Sequence, residues 1–358
     1  MLIKLINYYC YHINTLNIYV LCIILLITFS ITVLIGYLIF PILVNLKCKQ
    51  IGRYCYPKSH EKKNNTPTMG GIIINTTIVL SIFLWTDYNN VFIQYIIFLL
   101  VGYSIIGFID DYYKIRYNNT QGLSAIKKYL WQSILSVIVI ICILINNIIS
   151  YKLLIIIPFI GYIKVCSWLI FVTLSYLIIV GTSNAVNLTD GLDGLAIVPI
   201  IFTSTGLLIL SFITSNIKLS KYFNISYINL SSELVVLCII IIGTSLGFLW
   251  FNCYPAKLFM GDVGSLPLGG IIGLISILIH QESLLLIMGG FFFVETISVV
   301  IQVVFFKIIG KRIFLMAPIH HHFELKGHKE QLIVVRVWII CFILLILSLM
   351  QLKYYNND

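Results

Sequence analysis

The chain has 358 residues, of which 60% are apolar and only 10% are Asp, Glu, Lys or Arg. Its mean hydropathy of +1.02 lies far outside the range of soluble domains, which excludes a water-soluble globular protein. The nine cysteines are scattered without a CxxC pair, which argues against a zinc site, a redox motif or a disulfide framework. Apolar runs long enough to span a bilayer recur throughout, so we predict one all-α polytopic membrane domain over residues 1–358.

About ten transmembrane helices are predicted from the apolar runs. In chain order they cover residues 20–44, 71–86, 92–109, 129–148, 167–185, 195–214, 234–250, 266–280, 284–306 and 331–352. The first run is too long and too poorly flanked to be a cleaved signal peptide. Most of the charged residues fall in loops between the spans, where the side of the membrane that they face can be predicted.

The net charge of +10 is unevenly distributed between the loops. If Lys4 lies outside, loops 45–70, 110–128, 186–194, 251–265 and 307–330 lie inside and, with Arg336, hold 17 of the 23 Lys and Arg residues. Cytoplasmic loops carry such an excess, so we predict that both termini are extracytoplasmic. Five aspartates then share the cytoplasmic face: Asp110, Asp111, Asp190, Asp193 and Asp262.

The first cytoplasmic loop, YPKSHEKKNNTPTMGG, combines basic residues with threonines and a pair of glycines. Its candidate functional residues are Lys62, Lys63, Thr66 and Thr68. Basic residues at this position also serve as a topology signal, and alone they do not indicate a site.

Asp110 and Asp111 follow the third predicted span in the sequence GFIDDYYK. Acids at a helix C-terminus oppose the helix dipole, so this is an unfavourable place for purely structural carboxylates. Lys114 is within reach of both aspartates on a continuing helix. The motif is therefore either an interfacial pair neutralised by Lys114, or two carboxylates that bind Mg²⁺ or accept a proton near a phosphate.

The stretch NAVNLTDGLDGLA repeats a polar residue every three positions, at Asn187, Asp190 and Asp193. This spacing places the three side chains on one side of a helical turn. Gly191 and Gly194 leave room for close approach of a ligand to the backbone. A capped loop that starts the sixth helix would need one Asp, and the motif exceeds that requirement.

Asp262 lies between two glycines in FMGDVGS, directly before the eighth apolar run. The pattern is typical of a helix N-terminus, where amide groups and the helix dipole favour an anion. Asp262 is therefore either a plain N-cap or a metal ligand beside a bound phosphate.

The last cytoplasmic loop, KRIFLMAPIHHHFELKGHKE, contains three consecutive histidines beside Lys311, Arg312 and Lys326. Such a donor-rich, cationic patch suits phosphate, whereas adjacent histidines rarely share one zinc ion. A solvated basic loop that sets only topology is the alternative. Inside the spans, Glu295 is expected to be structural or to face a wet cleft, and the role of Gln302 on the same helix stays open.

Five carboxylates, several lysines and a histidine cluster thus converge on one membrane face. Carboxylates recruit Mg²⁺, and a metal together with lysines neutralises a diphosphate, whose reaction depends mainly on positioning and charge. An adjacent apolar bundle suits a lipid phosphate. We therefore predict phosphoryl-type transfer from a soluble phosphate donor to a lipid carrier.

At these residues the chain resembles the bacterial phospho-N-acetylmuramoyl-pentapeptide transferases (translocase I). The motifs that carry the resemblance are TPTMGG, GFIDDYYK, NAVNLTDGLDGLA, FMGDVGS and above all APIHHHFELKG, from about Gly52 to the last span. The resemblance implies transfer of phospho-N-acetylmuramoyl-pentapeptide from UDP to undecaprenyl phosphate in the bacterial inner membrane. The implied products are lipid I and UMP, with a requirement for Mg²⁺. A homodimer is also implied, and no nucleic acid is expected.

Residue roles follow from the same resemblance. Asp262 corresponds to the main Mg²⁺ ligand, Asp110 to the base that deprotonates the lipid phosphate, and Asp111 to a supporting group for metal or charge. The uridine and diphosphate pocket is implied to comprise Lys63, Thr68, Lys114, Asn187, Asp190, Asp193, Asn252, Phe259, Ser265 and Gln302. His320, His321 and His322 are implied to hold the diphosphate or sugar. Lys128 matches a family lysine, although Ile126 replaces a common arginine.

Two other functions remain to be distinguished. A sister enzyme that transfers N-acetylglucosamine-1-phosphate to the same lipid shares the aspartate motifs but lacks the PIHHHFE loop. A transporter would place its polar groups near the bilayer midplane, whereas here the acids lie at one edge. The resemblance leaves open whether transfer is a direct displacement or passes through an aspartyl intermediate.

Overall fold

The computed structural model describes residues 17–46, 66–117, 122–146 and 167–352, and the backbone of two strands at 152–157 and 161–166. The helices are α1 (Ile18–Asn45), α2 (Gly71–Trp85), α3 (Val91–Arg116), α4 (Ala125–Ile145), α5 (Trp168–Thr189), α6 (Ile197–Ser215), α7 (Ile217–Tyr222), α8 (Ser232–Asn252), α9 (Asp262–Leu278), α10 (Glu282–Met288), α11 (Gly290–Ile309), α12 (Ile319–Leu325) and α13 (Glu330–Met350).

The apolar runs form helices, as predicted for a polytopic membrane protein. Eight helices of the described residues are long and apolar enough to cross a membrane, and α2 and α9 are shorter apolar helices. The ninth predicted span, 284–306, is divided between α10 and α11, which meet at Gly289. The prediction of a helical membrane domain is therefore confirmed.

One element was not predicted. Strands β1 (Lys152–Ile157) and β2 (Gly161–Cys166) form an antiparallel hairpin between α4 and α5, with Lys152 opposite Cys166. Each strand has six residues, too few to span a membrane in extended form. The hairpin therefore belongs to a connection between two helices.

Several helices continue beyond the ends predicted from hydropathy, and three of them carry aspartates or Asn187 into the site. Helix α3 reaches Arg116 instead of residue 109, α5 reaches Thr189 instead of 185, and α9 begins at Asp262 instead of 266. Each extension carries polar residues that find partners on neighbouring helices. Hydropathy ends a span at the first charge, whereas a helix continues where such partners compensate its polar side chains.

Helix α9 is the centre of the bundle, because every residue from Val263 to Leu278 is buried. It packs mainly against α3 and α5, with α2 beside its first turn. A Cβ atom at Gly71 would lie 2.2 Å from the Gly264 nitrogen, and one at Gly107 would lie 2.3 Å from the Asp262 carbonyl oxygen. Glycine at these positions lets α2 and α3 approach the start of α9 closely, as small residues do in membrane bundles.

Candidate active site

The close contact of α3 with α9 brings three aspartates together. Asp110 and Asp111 lie in the last two turns of α3, and Asp262 is the first residue of α9. One carboxylate oxygen from each lies within 4.8 Å of the others, and Asp110 and Asp111 are buried. The structure therefore groups the residues predicted to be catalytic, which we call the carboxylate cluster.

Backbone amides hold two of these carboxylates in place. Val263 N donates to Asp111 Oδ2 at 3.1 Å, and Leu123 N donates to Asp110 Oδ1 at 2.8 Å. The first amide belongs to the opening turn of α9, where unpaired N–H groups favour an anion. The orientation of both side chains is thus fixed by the fold.

Two lysines neutralise the cluster. Lys114 Nζ lies 2.5 Å from Asp110 Oδ2, 3.1 Å from Asp262 Oδ2 and 3.4 Å from Asp111 Oδ1. Lys128, on α4, places its Nζ 2.6 Å from Asp262 Oδ2. The expected pairing of Lys114 with Asp110 and Asp111 is therefore present, and Lys128 adds a contact with Asp262.

The donor set of the cluster fits a magnesium ion. Carboxylate oxygens from Asp110, Asp111 and Asp262 are hard ligands of the kind that Mg²⁺ binds in phosphate-handling sites. Such sites use one or two carboxylates and leave the remaining positions to water and substrate phosphate. Among the described residues, this is the one group of three or more His, Cys, Asp or Glu side chains close enough to share an ion.

Asn187 and Ser265 support Asp262 from α5 and α9. Asn187 Nδ2 donates to Asp262 Oδ1 at 2.7 Å and to Ser265 Oγ at 2.8 Å. Ser265 Oγ in turn donates to the Gly261 carbonyl oxygen at 3.0 Å. Two residues predicted to bind the nucleotide thus contact the carboxylate cluster or its immediate support.

The segment that contains Thr68 pairs with Phe259 through backbone hydrogen bonds beside the cluster. Phe259 N donates to the Pro67 carbonyl oxygen, and Gly70 N donates to that of Phe259, at 2.9 and 2.8 Å. Gly261 has a φ of +72°, and a Cβ atom there would lie 3.0 Å from Thr68 Oγ1 and closer still to Asp111. Lys63, predicted for the same pocket, lies outside the described residues.

Asp190 ends α5 and lies near the cluster. Its burial, together with the Asp262 and Asp111 carboxylates, raises the pKa of Asp190 to about 8, although a hydrogen bond from the Gly261 backbone opposes the shift. A carboxyl group in this environment is largely protonated at neutral pH and can donate a hydrogen bond. Asp190 therefore adds less negative charge to the predicted pocket than an ionised carboxylate would.

Asp193 and Asn252 are used to connect two loops. Asp193 Oδ2 accepts from Ala256 N at 2.9 Å, and Asn252 Oδ1 accepts from Gly194 N at 3.1 Å. Asn252 Nδ2 donates to the Leu258 carbonyl oxygen at 2.9 Å. In this structure both residues hold the turn at 190–194 against the loop before α9. Their predicted contact with the nucleotide stays a prediction.

Two residues of α13 that sequence reasoning missed also hold this turn. Glu330 Oε1 accepts from Asp193 N at 3.0 Å, and Trp338 Nε1 donates to the Gly194 carbonyl oxygen at 3.1 Å. Glu330 could have been noticed as an acid at the start of the last apolar run. The sequence holds no local signal for Trp338.

The histidines lie on α12, where His320 and His321 are buried and His322 is partly exposed. His320 Nδ1 lies 3.1 Å from Glu295 Oε2, and His321 Nδ1 lies 2.7 Å from Glu324 Oε2. His322 Nδ1 accepts from Leu315 N at 3.1 Å. Each ring thus has a contact within the protein, and the predicted role of the three histidines in holding the diphosphate or sugar stays a prediction.

Gln302 holds the segment before α12. Its Oε1 accepts from Ile313 N at 3.2 Å and Phe314 N at 2.9 Å, and its Nε2 donates to the Phe314 carbonyl oxygen at 3.2 Å. These bonds use both ends of the amide. In this structure Gln302 is an anchor for the segment, and its predicted contact with substrate stays untested.

Comparisons with known proteins agree with the motifs. The family model described as glycosyl transferase family 4 matches residues 93–280, and the phospho-N-acetylmuramoyl-pentapeptide-transferase signature 1 matches residues 63–74. The phospho-N-acetylmuramoyl-pentapeptide-transferase of Buchnera aphidicola subsp. Baizongia pistaciae (strain Bp) is 54% identical over 87% of this chain and 91% of its own length.

Further relatives carry the same name. The phospho-N-acetylmuramoyl-pentapeptide-transferase of Buchnera aphidicola subsp. Acyrthosiphon pisum (strain APS) is 53% identical over 92% of both chains. The enzyme of the same name from Blochmanniella floridana is 52% identical over 85% of this chain and 83% of its own length. Identity of this degree over nearly the full length extends well beyond the motifs at the carboxylate cluster. The chain therefore belongs to the phospho-N-acetylmuramoyl-pentapeptide-transferase family.

Proposed function

We propose that the chain transfers phospho-N-acetylmuramoyl-pentapeptide from its UDP carrier to undecaprenyl phosphate, releasing UMP and forming lipid I. The observation that carries this proposal is the carboxylate cluster with its two lysines, located where three apolar helices end. A diphosphate needs charge neutralisation, and a lipid phosphate needs an apolar path beside it. Family membership supports the same reaction.

In the proposed reaction, an oxygen of the lipid phosphate becomes bonded to the β-phosphorus of the donor. The bond from that phosphorus to the bridging oxygen breaks, and UMP leaves with the oxygen. Asp110 is suited to accept the proton of the lipid phosphate, because its carboxylate is oriented by Leu123 N and by Lys114. Mg²⁺, when bound, neutralises the diphosphate and stabilises the leaving group.

Asp262 is the proposed main ligand of this ion, with Asp111 as its support. Asn187 orients Asp262 from the far side, and the Val263 amide orients Asp111. Lys114 and Lys128 would hold phosphate oxygens of the bound donor while remaining close to the carboxylates. The fold thus presents both signs of charge before any substrate is bound.

The nucleotide end of the donor is proposed to lie beside Asp190. A protonated Asp190 offers a hydrogen bond to a neutral base edge without repelling the phosphates. The proposed pocket is completed by Lys63, Thr68, Asp193, Asn252, Phe259, Ser265 and Gln302. We further propose that the site faces the cytoplasm, that both termini lie outside, and that the protein forms a homodimer in the bacterial inner membrane.

The test is transfer by the purified protein. With Mg²⁺, undecaprenyl phosphate and radiolabelled UDP-N-acetylmuramoyl-pentapeptide, the protein should label a lipid and release UMP. A parallel reaction with UDP-N-acetylglucosamine should give no lipid product. Labelling only from the second donor would assign the chain to N-acetylglucosamine-1-phosphate transfer, and no labelling from either would refute the proposal.

A further inference from the structure

Glu295 is a buried acid that the reaction described above does not use. It lies in α11 with 0% exposure, and a carboxylate in this environment is costly without a partner. Its Oε2 lies 3.1 Å from Nδ1 of His320, which is 1% exposed. Among the described residues, neither oxygen of Glu295 has a hydrogen-bond partner, so the contact with His320 is its compensation.

The other edge of the His320 ring faces the proposed donor turn. A Cβ atom at Gly191 would lie 2.3 Å from His320 Nε2, so the ring fills the space that a side chain at residue 191 would need. This nitrogen is buried and has no hydrogen-bond partner among the described residues. A buried nitrogen without a partner costs free energy unless a ligand supplies the missing bond.

The neighbouring histidines do not share this arrangement. His321 lies 2.7 Å from Glu324 of its own helix, and His322 accepts a hydrogen bond from Leu315 N. Three identical residues in sequence therefore have three different surroundings. Of the three, His320 is the one whose ring nitrogen abuts the turn that follows Asp190.

We propose that Glu295 is a positioning residue that holds Nδ1 of His320 and thereby aims Nε2 at the phosphate or sugar of the donor over Gly191. The inference rests on the proposed function and deepens it, because it gives one of the histidines a specific orientation. Carboxylate contacts fix the tautomer and ring orientation of histidine in this way. Glu295 itself does not touch the donor.

A double-mutant cycle tests the coupling. Glu295→Ala is expected to lower kcat/KM for the UDP-linked donor by roughly 10–100-fold, the loss seen when an orienting carboxylate is removed from a metal-bound histidine. Glu295→Gln retains an oxygen beside Nδ1 and should lose less. The variant with both Glu295→Ala and His320→Ala should be no worse than His320→Ala alone. If the losses of the two single variants instead multiply in the double variant, the proposal is overturned.

Ser298→Ala is the matched control for this cycle. Ser298 is buried one turn further along α11, and its hydroxyl donates to the Glu295 carbonyl oxygen of the same helix. This substitution should leave kcat/KM within about twofold of the value for the unsubstituted protein, as expected of a free-energy change of a few tenths of a kcal/mol. A loss equal to that of Glu295→Ala would show a general packing effect of α11 and overturn the positioning role.

A chemical readout separates this inference from the proposed function. Diethyl pyrocarbonate labelling, located by fragmentation mass spectrometry, should modify His320 several-fold faster in Glu295→Ala, while His321 stays unchanged as the internal control. Gly191→Ala should also accelerate labelling of His320, because the added methyl group displaces the ring, and it serves if Glu295→Ala does not fold. Unchanged labelling of His320 overturns the inference, whether or not the unsubstituted protein transfers phosphosugar.

Discussion

The carboxylate cluster and the histidine segment on α12 are both rich in polar groups, yet they are organised differently. In the cluster, charges from α3, α4 and α9 converge on a small volume, with Lys114 contacting all three carboxylates. At the histidine segment, His322 and the neighbouring Gln302 of α11 bond to the backbone of residues 313–315. The first region concentrates charge for a ligand, whereas the second mainly holds a segment in place.

This difference predicts how sensitive each region is to substitution. Removing a charge from the cluster changes the electrostatic environment of the reacting phosphates directly. Removing a polar group from the histidine segment loosens a support and acts on the site through it. We therefore expect the loss of activity to be largest in the cluster, smaller where its packing is disturbed, and smallest where only the backbone of residues 313–314 is released.

The largest effect is expected for Asp262→Ala. This change removes the proposed main Mg²⁺ ligand and the shared partner of Lys114, Lys128 and Asn187. Transfer should fall by on the order of 10³-fold, comparable to the loss of a principal electrostatic group in other enzymes. The rate of UMP release measures it, and activity within tenfold of the unsubstituted protein would contradict the site assignment.

The two lysines offer a graded comparison within the cluster. Lys114 contacts three carboxylates and Lys128 contacts one. Lys114→Met should therefore reduce kcat by about 10²-fold and Lys128→Met by about tenfold, since each removes charge stabilisation in proportion to its contacts. The comparison is made at saturating Mg²⁺, and the reverse order of losses would show that Lys128 is the more important cation.

The packing that assembles the cluster is tested by Gly107→Ala. The added Cβ would lie 2.3 Å from the Asp262 carbonyl oxygen and force α3 away from α9. We expect destabilisation of about 1–3 kcal/mol, typical of overpacking, and a roughly tenfold loss of transfer. Thermal unfolding in detergent and UMP release report the two effects.

Gly181→Ala on α5 is the matched control, because a Cβ there meets no atom within 4 Å. It should leave transfer unchanged and could raise stability by up to about 1 kcal/mol through helix propensity. Equal losses in both variants would mean that the approach of α3 to α9 is not the cause.

The smallest effect is expected for Gln302→Ala. Loss of three hydrogen bonds frees residues 313–314, and the exposed Lys311 and Arg312 beside them should be cleaved faster by trypsin. The KM for the UDP-linked donor should rise by only a few-fold, about 1 kcal/mol or less. A loss of kcat as large as that of Lys114→Met, with unchanged cleavage, would instead indicate direct contact with the reacting groups.

Most of the helical architecture was predictable because long apolar runs carry a strong local signal. Convergence of Asp110, Asp111 and Asp262 was also predictable, since loop charge placed all three on one face. The hairpin at 152–166 was missed because its short apolar strands resemble neither a span nor a polar loop. Its length, not its composition, distinguishes it.

The contacts that complete the site were not predictable from local pattern. Lys128 meets Asp262 across 134 positions of sequence, and Trp338 meets Gly194 across 144. The pairing of Glu295 with His320 likewise depends on how α11 and α12 pack. Such contacts follow from tertiary packing, which leaves no local pattern in a single sequence.

Binding of Mn²⁺, a spectroscopic substitute for Mg²⁺, tests the central claim most directly. Electron paramagnetic resonance of the purified protein should detect a bound ion that is lost in Asp262→Asn. It should be retained in Glu282→Gln, which alters an acid beyond the opposite end of α9. The same samples should show lipid labelling only where the ion binds. Binding that survives in Asp262→Asn, or labelling without it, would contradict the carboxylate cluster as the catalytic centre.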